Sequence, residues 1–175
     1  METRDRTINT NMNKETLNSV IRNRKSIYPK DYATGEIPDD IINEVLLNAN
    51  HAPTHRMTQP WFFKVYKNES KQKLIDIISK IDESKISKIK HDKFIQKIND
   101  SNTIISIFLN RDKKERLPEW EEIAAVSMAV QNMWLTCYVN NIGSYWSTPG
   151  FIQEYGKPVS YTHLTLPTMC VVCMW

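Results

Sequence analysis

The apolar positions of this chain fall into helical stripes and two short β-rich runs. Leu17, Val20 and Ile21 share one helical face, which predicts a short helix over Lys14–Arg24 that Pro29 stops. Ile37-Pro38-Asp39-Asp40 sets a proline in a first turn and two acids at a positive helix end, and Ile41, Ile42, Val45, Leu46 and Ala49 form one stripe behind them. Asn50–Pro60 loses this periodicity and carries Pro53 and Pro60, so it reads as a loop. It feeds Trp61–Tyr66, which is aromatic and β-branched enough for a strand. Leu74, Ile75, Ile77 and Ile78 predict a helix over Lys71–Lys80. Ile86, Ile89, Phe94, Ile95 and Ile98 predict a second, both with lysine-rich outer faces in water. Thr103–Leu109 suits an interior strand paired beside Trp61–Tyr66.

The longest periodic segment is Glu119–Val139. Ile123, Val126, Val130, Met133, Trp134 and Cys137 line one side, and Ala124, Ala125, Met128 and Ala129 broaden it. A helix apolar nearly all round belongs at the centre of a fold. Asn141-Ile142-Gly143 ends it, with Gly143 the expected left-handed cap, and Ser144–Thr148 can then run extended.

Composition narrows the class. With 175 residues, 41% of them hydrophobic and 25% charged, the chain is sized for one globular domain with a real core. No stretch reaches the roughly 18 unbroken apolar residues of a bilayer span, since Gln131 and Asn132 interrupt Ile123–Val139, so no membrane partner is expected. Met1–Asn13 is polar, lacks the apolar core of a secretory signal, and reads as a flexible N-terminal extension. A cytoplasmic location follows as the expectation. The net charge of +3 is small and its lysines are interspersed with acids, so no nucleic-acid partner is expected. Of the three cysteines, Cys137 stands alone in a helical pattern, and Cys170 and Cys173 lack the strand-helix context of a redox or zinc pair.

Four segments carry candidate chemistry. Arg22, Arg24 and Lys25 put three cations within four positions, followed by the Ser26 hydroxyl, a composition that grips a phosphate dianion. A solvated basic helix end is the plain alternative. His51–Trp61 is a loop dense in hydrogen-bonding side chains between a helix and a strand. His51 and His55 are four apart, but further ligands at suitable spacing are lacking, so no metal site is expected. Leu117-Pro118-Glu119-Trp120-Glu121 precedes the long helix and Gly143–Gly150 follows it. Each alone is ordinary helix punctuation.

Taken in this order, the four segments resemble the small single-domain members of the nitroreductase family. The matching motifs are Arg24-Lys25-Ser26, Ala52-Pro53-Thr54-His55 leading into Gln59-Pro60-Trp61-Phe62-Phe63, Pro118-Glu119-Trp120-Glu121, and Gly143 to Thr148; together they cover about Lys14 to Lys157. The resemblance implies an α+β fold, a mixed sheet flanked by helices around the long central helix, paired as a homodimer with FMN at the subunit interface. It also implies an enzyme that moves hydride from NAD(P)H through FMN to nitroaromatics, quinones or similar small acceptors, with ping-pong kinetics. No catalytic side chain is required, because the chemistry belongs to the flavin. Arg24, Lys25 and Ser26 would hold the ribityl phosphate and ring edge. His51, His55 and Gln59 would reach a flavin held mainly by the other subunit, and Trp146, Ser147 and Thr148 would line its own-subunit side. Lys25 departs from the close relatives, which carry a second Arg there, and a point charge holds phosphate with less geometric definition than a guanidinium fork. Two other classes fit the residues: a non-catalytic FMN binder that buffers or senses the cofactor, and a basic interaction module that uses Lys71–Lys97.

The last stretch reads differently. Val159-Ser-Tyr-Thr-His-Leu-Thr-Leu-Pro-Thr resembles a translated sequencing adapter, which sets 159–175 apart as a non-native tail and leaves a C-terminally truncated domain over 14–158 with an incomplete sheet. The alternative is a divergent C-terminal strand, since Tyr161, Leu164, Val171 and Val172 are β-formers.

Overall fold

A computed structural model describes residues 13–80 and 87–147, with the backbone of 170–174. Residues 1–12, 81–86, 148–169 and 175 lie outside the described part, so Ile86, Thr148, the N-terminal extension before Asn13 and most of the tail do too.

The chain opens with α1 (Lys14–Asn23), capped by Asn13, whose Oδ1 accepts the Glu15 N–H at 2.9 Å. Pro29 does not stop this helix. It ends at Asn23, where Arg24 turns extended (φ −55°, ψ 128°), and the chain then leaves to let the Ile27 N–H donate to the Ser144 carbonyl at 3.1 Å. A tertiary hydrogen bond thus ends α1 before the proline is reached.

α2 (Asp39–Asn50) buries Ile42, Val45 and Ala49 and lies against α5 (Glu119–Val139). Polar bonds lock that apolar contact. Asn48 Nδ2 donates to Thr136 Oγ1 at 2.9 Å, and Asn132 Nδ2 donates to the Asn48 carbonyl at 3.0 Å. β1 (Trp61–Lys67) and β2 (Thr103–Leu109) pair antiparallel with Trp61 opposite Leu109 and Lys67 opposite Thr103. Between them, α3 (Ser70–Ser79) and α4 (Lys88–Asp100) form a helical pair.

Strand alternation divides the core in two. Ile105, Ile107 and Leu109 face the cluster built with α2 and α5, whereas Tyr66 and Ile104 face Leu74, Ile78, Phe94 and Ile98 from α3 and α4. The sheet therefore carries helices on both faces, as the α+β reading requires. Lys71 departs from the solvated face assigned to its helix. Its ammonium donates to the carbonyls of Ile98 and Ser101 at 3.2 and 2.7 Å at the end of α4, and burial lowers its pKa.

α5 ends in a Schellman turn: the Ile142 N–H reaches the Cys137 carbonyl at 2.8 Å, and Asn141 is the left-handed residue (φ 57°). The expected cap, Gly143, is not left-handed. Glycine stands there for space, since a Cβ would meet Ile27 at 3.1 Å and Tyr32 at 3.2 Å. β3 (Ser144–Ser147) follows, and the sheet order is β1-β2-β4-β3 with β4 (Cys170–Met174) between β2 and β3. The backbone of 170–174 runs as a strand, with Ser106 opposite Val171 on one side and Trp146 opposite Val172 on the other. The three pairings among the described residues are antiparallel, where a mixed sheet was expected. Two helices return the chain between β1 and β2, which reverses its direction. One helix between β2 and β3 keeps those two strands parallel, with β4 inserted between them.

Candidate functional site

The predicted residues separate into two groups at opposite ends of α5. At one end Arg24, released from α1, lays its guanidinium over the Trp134 ring, 4.2 Å from the centroid. Trp134 meets Trp146 of β3 edge-on at 6.3 Å, and its Nε1–H donates to the Ser144 carbonyl at 3.2 Å. That carbonyl also takes the Ile27 N–H, so one oxygen ties the end of α1, the body of α5 and the start of β3 together. Arg24 Nη1 and Trp146 Nε1 are buried there with no hydrogen-bond partner among the described residues. Lys25 is exposed, and Ser26 and Ser147 are half-buried beside them in the chain.

The loop from His51 to Pro60 starts beside the middle of α5, one turn past Asn48, whose carbonyl takes Asn132 Nδ2, and runs to the other end of the helix at His55. His51 is exposed and caps α2. Arg56, Met57 and Gln59 have positive φ (53°, 54° and 44°), a conformation non-glycine residues adopt at a cost. Short bonds hold the loop in place. Thr54 Oγ1 takes the Gln59 N–H at 3.2 Å and lies 3.1 Å from Thr58 Oγ1, while Trp61 Nε1 donates to Asn50 Oδ1 at 2.8 Å. His55 Nδ1 meets Glu121 Oε2 on the first turn of α5 at 2.7 Å. Glu121 and Trp134 are thirteen residues apart on one helix, about 20 Å. Arg24 and Trp146 therefore come together around Trp134, and His55 stands at the far end of the helix; no contact among the described residues joins His51 or Gln59 to the Arg24 cluster.

The turn before α5 is set by a carboxylate the sequence reading passed over. Glu122, 1% exposed, accepts Arg111 Nε at 3.0 Å and the Asp112 N–H at 2.8 Å. Arg116 in turn binds Asp112 at 2.6 Å and holds its carboxyl at about 2, below the ordinary 3.8. A depressed carboxylate stabilises the fold above its unfolded pKa and loses that contribution as pH falls through the folded one. Asp112→Asn should therefore lose less stability than the parent between about pH 4 and pH 2, which thermal melts across that range would measure.

Other groups carry little. The Cys137 thiol is buried and pushed up to about 12 by desolvation, so it is inert as a nucleophile. A cleft of about 620 Å³ lies between residues 29–35 and the end of α4, but none of the nine candidate residues lines it and its Lys71 and Asn102 are already bonded to backbone. Among the described residues no group of three or more His, Cys, Asp or Glu could hold a metal, and no helix is long and apolar enough to cross a membrane.

Against known proteins, the sequence profile described as the Nitroreductase family matches residues 21–167. The chain belongs to the nitroreductase family. Among curated members it is 28% identical over 146 residues to YfhC of Bacillus subtilis (strain 168), covering 79% of this chain and 72% of that protein. It is 23% identical over 143 residues to YdjA of Escherichia coli (strain K12), covering 73% and 76%. Both are named, provisionally, as NAD(P)H nitroreductases. The nitroreductase fold recurs in a solved nitroreductase-like protein of Bacillus cereus, with a TM-score of 0.74 and 20% identity over 96% of this chain and 87% of that one. It recurs again in the FMN-dependent nitroreductase NfnB of Mycobacterium smegmatis, solved with NADPH, with a TM-score of 0.64 and 12% identity over 92% and 87%. A provisionally named nitroreductase of Desulfovibrio desulfuricans, solved with FMN, gives 0.65 and 19% over 93% and 86%. At these identities the likeness to solved structures is one of fold.

Trp134 and Glu121 are the residues of this site that sequence reasoning did not assign. Trp134 was read as core and Glu121 as part of a helix start. The signal for each was an aromatic or acidic residue whose partner lies about a hundred or about seventy positions away, which local pattern does not reveal.

Proposed function

We propose that this member of the nitroreductase family is an FMN-dependent oxidoreductase, located in the cytoplasm, that takes hydride from NAD(P)H and reduces nitroaromatics, quinones or similar small acceptors. The observation that carries the reading is the Arg24 guanidinium, held over the Trp134 ring with a buried Nη1 that lacks an acceptor among the described residues, as does the buried Trp146 indole Nε1. Buried donors left unsatisfied cost about 1–3 kcal/mol each. An anionic, oxygen-rich ligand such as FMN relieves that cost, so the residues present fit the group. Arg24, Lys25 and Ser26 would bind its phosphate and ring edge, while Trp146, Ser147 and Thr148 would flank it and exclude water. The chemistry a bound FMN supplies is a two-electron relay from NAD(P)H to the small acceptor.

The second half of the site comes from another copy. α5 turns Trp120, Ala124, Met128 and Val139 away from its own core, with Gln131 exposed and Leu135 half-buried among them, and Trp120 and Val139 are 68% and 53% exposed. Glu121 lies seven residues before Met128 and Trp134 six after it. A twofold axis crossing α5 at Met128 therefore lays one chain's His55–Glu121 end against the other's Arg24–Trp134 end, and His51, His55 and Gln59 then reach the partner's flavin.

The test is flavin retention. The purified chain should bind FMN, and Arg24→Ala should weaken that binding by about 10- to 100-fold, the worth of one or two charged hydrogen bonds. Fluorescence quenching of free FMN measures it, and an affinity equal to the parent's would remove Arg24 from the site. Anaerobic bleaching by NADPH distinguishes the enzyme from a passive flavin binder.

A further inference from the structure

His55 and Glu121 form a pair whose geometry says more than that a loop is fastened to a helix. The His55 side chain is 60% exposed and Glu121 26%, and only Nδ1 of the ring faces the carboxylate, at 2.7 Å. A carboxylate oxygen accepts and cannot donate when ionised, so the proton of this bond sits on Nδ1. In a neutral imidazole the other nitrogen is then a bare lone pair. It lies across the ring from the carboxylate contact, on a side chain that is 60% exposed.

We propose that Glu121 is a positioning residue: it fixes the His55 ring with its proton on Nδ1 and presents Nε2 as a hydrogen-bond acceptor to an N–H of the bound ligand. On the FMN reading, which this inference deepens and rests on for the ligand's identity, the N–H in question is the imide of the isoalloxazine ring.

Two features of the structure make the arrangement directional. Glu121 stands in the first turn of α5, so its carboxylate is carried by a long packed helix and the ring turns to meet it. Arg56 and Met57, the two residues after His55, hold left-handed backbone, so the loop's path past Glu121 is imposed and not merely tolerated. The sequence places this glutamate in Pro118-Glu119-Trp120-Glu121, which gives that segment a role beyond starting a helix.

The first arm of the test needs no cofactor. Nitrogen-15 NMR of the purified chain at about pH 8.5, above the ordinary imidazole titration, reports which ring nitrogen carries the proton. The four histidines allow assignment by comparison with His55→Gln. The expected spectrum shows His55 as the Nδ1–H tautomer, which is the minority form of a free imidazole, reverting toward the Nε2–H form in Glu121→Ala. A ring protonated on Nε2, or on both nitrogens, overturns the proposal.

The second arm is FMN affinity by fluorescence titration. Glu121→Ala should weaken it by about tenfold, whereas Glu121→Gln, which keeps an acceptor oxygen for Nδ1–H, should stay within about threefold of the parent. Unchanged affinity in Glu121→Ala overturns the positioning role, as does an equal loss in both variants that follows their melting temperatures. A parent chain that takes up no FMN sinks the flavin reading and with it the role toward the imide, while the tautomer arm still decides whether the contact orients the ring.

Discussion

Glu122→Ala is expected to lower the melting temperature by roughly 10 °C. The carboxylate is fully enclosed, and both its oxygens are used: one by the Arg111 guanidinium, one by the Asp112 backbone. Removing it leaves a charge and an amide facing a void, and breaking one side of an enclosed ion pair is far more costly than exchanging both sides for apolar groups. The double variant Glu122→Met with Arg111→Met should therefore melt above Glu122→Ala alone. Glu122→Gln should fall between, because it keeps an acceptor but loses the charge. Differential scanning calorimetry of the set decides the matter. A Glu122→Ala protein that melts with its parent would mean that Arg111 finds sufficient compensation in Glu115, 3.7 Å away.

This network also shows what the sequence made legible. Glu122 shares a helical face with Val126, Ala129 and Met133, so a carboxylate on the core side of α5 was visible in the spacing. Its partner was not, because Arg111 sits in a turn whose path depends on where α5 begins. Helix spans were read well where periodic stripes were long: Glu119–Val139 is the observed α5, and the α3 and α2 stripes land within a residue or two. Long stripes are fixed by burial of many side chains at once, and no single contact can shift them. Ends set by one tertiary bond were read less well. α1 stops at Asn23 because of the chain's course to Ser144, and Asn141 instead of Gly143 takes the left-handed cap.

The strand order was the least legible feature. β4 is five residues of no distinctive period, and its pairings with β2 and β3 are made to segments far away in the chain. Such contacts are decided by the assembled sheet. The left-handed run of Arg56, Met57 and Gln59 was hidden for another reason: none is glycine or asparagine, the residues by which turn chemistry announces itself. The candidate site was legible as composition, in Arg24, His55 and Trp146, and illegible as geometry. That one chain separates these residues along α5 follows only from the packing of α1 and the 51–60 loop onto opposite ends of the same helix.

The separation makes Met128→Glu the sharpest test of how the site is completed. Met128 is 39% exposed at the middle of α5, so a glutamate there should leave the single chain folded, with its circular dichroism unchanged. If two copies meet across that residue, the substitution sets two carboxylates against each other in an apolar seam, and like charges so placed cost several kcal/mol. Light scattering should then report one chain where the parent gives two. FMN affinity should fall by at least about 100-fold, because His55 and its neighbours no longer reach the flavin beside Arg24. Met128→Leu, which keeps the apolar seam, should behave as the parent. A one-chain Met128→Glu protein that still binds FMN at parental strength would show that Arg24, Trp134 and Trp146 suffice. A two-chain one would place the axis elsewhere, and the matched distances of Glu121 and Trp134 from Met128 would lose their meaning.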